Sequence, residues 1–142
     1  MRRGFSLLEL MIVLAIVAIV TALAVPSLGD IMDWVAADGA AHDVTTALAV
    51  ARATAVSQST LVRVEIGADS LRIDIRMDGV WGPYRSFSGP SARGVQLEVS
   101  NPEVVFGPSG LGWGTANSTI TLRRGARVET VTTSRVGRVK RW

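Results

Sequence analysis

Residues 2–26 read RRGFSLLELMIVLAIVAIVTALAVP, and this stretch sets the class of the whole chain. From Phe5 to Val25, twenty-one residues are interrupted only by Ser6, Glu9 and Thr21. As an α-helix they span about 31 Å, the thickness of a bilayer's hydrocarbon core. Arg2 and Arg3 precede the run, while Asp30, Asp33, Asp38 and Asp43 follow it with no basic residue before Arg52. The positive-inside rule then places the N-terminus in the cytoplasm and the remainder across the membrane.

Two fates fit these residues. A secretory signal peptide would be cut after Ala24, at the small-x-small Ala22-Leu23-Ala24. A retained helix would stay as the anchor. Glu9 separates them, because a carboxylate in an apolar span costs up to roughly 3 kcal/mol on insertion scales. A disposable signal has no use for that cost. Glu9 lies four residues after Phe5 and shares its helical face. A cut before Phe5 would create an α-ammonium able to partner it.

Composition narrows the chemistry. The 142 residues suit one ordinary domain, and 48% of them are apolar, which argues against disorder. There is no cysteine, one histidine (His42) and one lysine (Lys140). Thiolate nucleophiles, disulfides, cysteine-based metal sites and most Ser-His-Asp arrangements lose their raw material. The net charge of +3 hides segregation. Residues 123–142 hold seven basic residues against Glu129 alone, while residues 5–122 hold six arginines against eleven acids. A basic tail on an acidic body is a candidate anion-binding patch.

Past Pro26, Trp34, Ala37, Ala41, Val44, Leu48, Ala51 and Ala55 recur at spacings of three and four. They predict an amphipathic helix to about Ser57, packed through an alanine-rich face against a sheet. The run is too short for a coiled coil. Gly29 and Gly39, each about 1 kcal/mol worse than alanine in a helix, predict local flexibility after Pro26. From Thr60 the period becomes two. Strands are expected at Val62–Ile66, Leu71–Met77, Val95–Val99, Glu103–Phe106, Thr119–Arg123 and Arg127–Thr132, with Gly67-Ala68-Asp69 as a hairpin loop. The 84 residues after Gln58 need the helix to complete a core. The fold class is α+β, with a long N-terminal helix on a C-terminal antiparallel β domain. Four segments follow: 1–4 leader, 5–25 membrane helix, 26–58 outer helix and 59–142 β domain with a basic tail.

Gly4-Phe5-Ser6-Leu7-Leu8-Glu9-Leu10, after a short basic leader, resembles the prepilin signature of type IV pilins and type II secretion pseudopilins. The resemblance implies cleavage between Gly4 and Phe5 by prepilin peptidase, and N-methylation of Phe5. It implies that Glu9 pairs with the Phe5 amine of a neighbouring subunit in the filament. Pro26 matches a helix-perturbing proline common in these helices. The long helix with a small antiparallel domain resembles the GspH/FimT family of minor pseudopilins and minor pilins. Residues 47–55, ALAVARATA, look like that family's helix end, and Gly137-Arg138-Val139-Lys140 resembles its terminal Gly-Arg-x-Arg. Lys140 stands where arginine is commoner, and the cysteines of many members are absent. The family's role implies a non-enzymatic, single-pass subunit of the bacterial inner membrane with its β domain in the periplasm. It would join other pilins at or near the filament tip.

Other candidates carry less. Asp38 and His42 have ligand spacing on one helix face, but no further histidine or cysteine completes a site, so neither a metal nor a cofactor is expected. Gly107-Pro108-Ser109-Gly110-Leu111-Gly112-Trp113-Gly114 lacks the ending of a phosphate loop and reads as a strand connection, with Trp113 covering the core edge. Asp74 with Asp78, or Glu98 with Glu103, would make a carboxylate pair, but alternation puts Asp74 on a solvated face. Asn117-Ser118-Thr119 fits a glycosylation sequon of little weight in a bacterial protein. The tail keeps two readings. Arg135, Arg138, Lys140 and Arg141 with Trp142 form a DNA-binding candidate, as in minor pilins of this family that take up DNA. The same residues also read as a basic edge strand paired with acidic neighbours.

Overall fold

Ser6 starts the helix that the apolar run demands. Its hydroxyl accepts the Glu9 backbone N–H at 3.2 Å, satisfying one of the donors a first turn leaves free. The computed structural model describes residues 6–114 and 116–142, with only the backbone of 24–27. Helix α1 runs Leu7–Ser57. It stays helical through positions 26, 29 and 39, where the glycines predicted looseness. At Gly39 the reason for a glycine is packing: a Cβ there would meet the Arg93 guanidinium at 3.1 Å. The helix ends in a Schellman arrangement, with the Thr60 N–H donating to the Ala55 carbonyl at 3.2 Å and the Ser59 N–H to Val56 at 3.3 Å. Ser59 takes the left-handed position at φ 50° that glycine usually fills.

The chain divides into two compact units at Met32/Asp33. In the first, residues 7–23 of α1 are exposed along their whole length. In the second, residues 33–57 of α1 share one core with the nine antiparallel strands found among the described residues. The strands are β1 Val62–Ile66, β2 Ser70–Met77, β3 Val80–Ser88, β4 Gln96–Val99, β5 Glu103–Phe106, β6 Gly112–Trp113, β7 Ser118–Arg124, β8 Arg127–Thr133 and β9 Val139–Arg141. They form a five-stranded sheet, order β3-β2-β1-β5-β6, and a four-stranded sheet, order β4-β7-β8-β9.

The alanine face does what its spacing predicts. Ala37, Ala41, Val44, Leu48, Ala51 and Ala55 are buried, and all but Ala37 join one cluster with residues of both sheets. Trp34, placed at the head of that stripe by sequence, is instead 48% exposed. The strand alternation also holds. Val62, Val64 and Ile66 of β1 are buried with Leu71, Ile73 and Ile75 of β2 and Ile120 and Leu122 of β7. Each large apolar side chain so placed contributes about 1.5–3 kcal/mol of burial. Strand β3 has no sequence signal. Its Gly82-Pro83 breaks the pattern, and proline is tolerated because β3 is an edge strand. A register shift opposite Ile73/Asp74 accommodates Tyr84, since Asp74 pairs with Pro83 and Ile73 with Arg85.

Candidate functional site

The anchor segment is a helix without a covering. Leu7, Leu8, Met11, Ile12 and Ile19 are each more than half exposed, as is most of the run between them. Glu9 is the single charged residue from 7 to 29, and it is exposed too. An apolar surface of this size requires lipid or other helices. A carboxylate inside either surrounding requires a cation. Gly4 and Phe5 lie outside the described residues, as does the side chain of Pro26.

Two residues of the basic tail, Arg124 and Arg141, are engaged with the acidic body. Three aspartates spaced five apart on α1 each hold one arginine from the β unit. Asp33 accepts from Arg124 Nε at 2.9 Å, Asp43 from Arg93 Nε at 2.9 Å, and Asp38 from Arg141. At 100° per residue, Asp38 and Asp43 flank the buried stripe on opposite sides. Arg141 also reaches Glu129 at 3.1 Å. The hydrogen bond to Asp38, then the attraction of Glu129, holds the Arg141 pKa above its ordinary value despite burial. Gly125, at φ 54°, leaves room for Asp33, whose carboxylate a Cβ would overlap.

Alternation along β9 explains how the tail divides. Arg141 pairs with buried Val131 and Val139 with buried Thr133, so both face α1. Lys140 and Trp142 face outward, with the ammonium 3.6 Å from the indole centroid. Arg135 and Arg138 lie in the exposed β8–β9 turn. That turn is closed by the Gly137 N–H donating to Ser134 at 2.9 Å. Gly137 sits at φ 70°, and a Cβ there would overlap the Gly110 carbonyl. The glycine of the terminal motif thus has a packing reason.

Asp74 is not solvated. It is 5% exposed and accepts from Arg63 at 2.8 Å. Arg63 spans Asp74, Glu65 at 3.4 Å and Glu103 at 3.6 Å, beneath the Trp81 ring at 4.7 Å. The hydrogen bond to Asp74 is the main reason its pKa is raised. Arg72 holds Glu65 across on β1 and Asp74 on its own strand. This ladder pairs Asp74 and Glu103, one carboxylate from each of the acid/base pairs that sequence offered, with arginine. Trp113, expected over the core edge, is 62% exposed, because β6 pairs at the sheet margin. The 107–114 segment is a strand connection containing β6. His42 is exposed, and the neighbouring Asp38 is occupied by Arg141. In the sequon, Ser118 is buried and its hydroxyl donates to Asn101 at 2.7 Å.

Comparison with known proteins meets this geometry at both ends of the chain. Residues 1–25 match the prokaryotic N-terminal methylation motif, and residues 40–137 match the type II transport protein GspH. A pilin-like protein of Thermus thermophilus is 28% identical over 155 residues, covering 98% of this chain and 97% of that one. The type IV minor pilin FimU of Pseudomonas aeruginosa shares the fold at a TM-score of 0.63 and 19% identity, over 73% of this chain and 86% of that one. The minor pseudopilin EpsH of the Vibrio cholerae type 2 secretion system does so at 0.61 and 15%, over 75% and 95%. The helix with antiparallel sheets is therefore the type IV pilin-like fold. The match to GspH covers more than half of the chain, so the protein belongs to the type II transport protein GspH family of minor pseudopilins and minor pilins, membrane-anchored structural subunits of a secretion pseudopilus or type IV pilus.

Proposed function

We propose that this chain acts without catalysis, by assembly. Prepilin peptidase cuts between Gly4 and Phe5, Phe5 is methylated, and the helix over residues 5–25 leaves the bilayer to enter the filament core. Glu9 then sets axial register by pairing with the Phe5 amine of a neighbour. The observation that carries this reading is Glu9 itself, the single charge in an otherwise apolar and exposed stretch. The β unit lies on the periplasmic side. The absence of cysteine makes topology easy to test. An Ala126→Cys variant, at the exposed β7–β8 turn, should react with a membrane-impermeant maleimide in intact spheroplasts. Labelling only after lysis would reverse the orientation.

A second reading, DNA binding by the tail, is favoured by Arg135, Arg138 and Lys140, exposed on one hairpin beside Trp142. Arg141 is spent on Asp38 and Glu129, so three of the four cations in this candidate set are left to neutralise phosphates. Glutamines at those three positions should flatten the salt slope of DNA binding by the full chain in detergent by up to about 2.7. No binding at physiological salt would remove this reading.

A further inference from the structure

Strand β9 ends its sheet, so among the described residues one edge of it has no neighbouring strand. Trp142 exchanges backbone hydrogen bonds with Thr130 at 2.9 and 3.3 Å, and the Arg138 carbonyl accepts the Ser134 N–H at 3.0 Å. Antiparallel alternation therefore turns residues 138, 140 and 142 toward β8 and leaves the backbone groups of Val139 and Arg141 facing the open edge. Beside that edge runs a groove of about 620 Å³. Ala49, Ala53 and Val56 of α1 form one wall, and Gly137 with Val139 the other. One charge stands in the groove: Arg52 lines it and has no acidic partner among the described residues, whereas Arg63, Arg72, Arg93, Arg124 and Arg141 all have one.

We propose that this groove receives an extended, acidic segment of a neighbouring pilin subunit, added to β9 as a fifth strand. This rests on the assembly reading. Main-chain hydrogen bonds to Val139 and Arg141 supply affinity, and alternate apolar side chains lie against Ala49, Ala53 and Val56. A carboxylate on that segment meets Arg52, where desolvation by the apolar walls strengthens the charge-assisted bond. A nucleic acid gains little here, since its affinity comes from rows of phosphate contacts and the walls are alanine and valine. The incoming strand also covers an edge that otherwise invites indiscriminate pairing.

The test places a photoreactive p-benzoylphenylalanine at Ala53 of the full-length protein in cells producing the whole assembly system. Ultraviolet light should link it to another pilin, at an extended segment containing Asp or Glu. Arg52→Glu should reduce that product by about tenfold or more. Val139→Pro should do the same, because the lost N–H faces the open edge and takes no part in pairing with β8. Circular dichroism checks that both variants fold, and the charge reversal alone keeps the test decisive if the proline variant does not. A crosslink indifferent to charge reversal overturns the proposal, as does one mapping to a helix, an exported protein or DNA. Co-purification with pilins but no groove crosslink sinks this proposal while leaving assembly intact. Loss of co-purification in the wild type sinks both.

Discussion

Truncating Phe106 to alanine is expected to destabilise the unit spanning residues 33–142 by about 3–5 kcal/mol. Phe106 is the largest of the fully buried side chains. It sits on β5 opposite Val62 of β1 and Gly112 of β6, inside the cluster that joins α1 to both sheets. Removing it deletes burial and leaves a cavity that antiparallel strands on both sides cannot easily close. A domain of this size has about 5–15 kcal/mol in total, so the variant should stand close to unfolding. Thermal melts of the full chain in detergent, followed by near-ultraviolet circular dichroism, measure this. A loss below about 1 kcal/mol would mean that the helix and sheets do not share one core.

The second large effect concerns Glu9. Glu9→Val should insert and be processed normally, because removing a carboxylate from an apolar helix eases insertion. Its recovery with partner pilins should nevertheless fall at least about tenfold. Breaking a buried charge pair costs about 3–5 kcal/mol, most of it from the ammonium left uncompensated in the filament core. Glu9→Gln, which keeps the shape and loses the charge, should behave like the valine variant. Recovery of either variant at the wild-type level would show that Glu9 does not set register.

What the sequence made legible follows from periodicity. The buried face of α1 from Ala37 to Ala55 repeats every three or four residues, and β1, β2, β5 and β7 alternate cleanly. Both patterns are local, so one chain suffices to read them. β3 was missed because Gly82-Pro83 and the shift beside Tyr84 erase its alternation. A sheet edge tolerates such a strand, and only the rest of the sheet reveals it. The arginine tethers were invisible for another reason. Arg124 and Asp33 lie 91 residues apart, Arg141 and Asp38 103 apart, and Arg93 and Asp43 50 apart. The sequence showed their charge segregation without its purpose, and a tail that looked free is partly tied down. Asp74 failed similarly. Alternation placed it on the outer face correctly, but not the Arg63 and Arg72 side chains that close over it.

Everything proposed for Glu9 depends on a cut before Phe5. In the assembly proposed above, Glu9 holds a free, methylated Phe5 amine. Mass spectrometry of the N-terminal peptide from protein extracted out of the membrane measures this directly. The expected result is a chain that begins at N-methylated Phe5 and retains the whole helix. A chain beginning at Val25, or one still carrying residues 1–4 in assembled filaments, would contradict it.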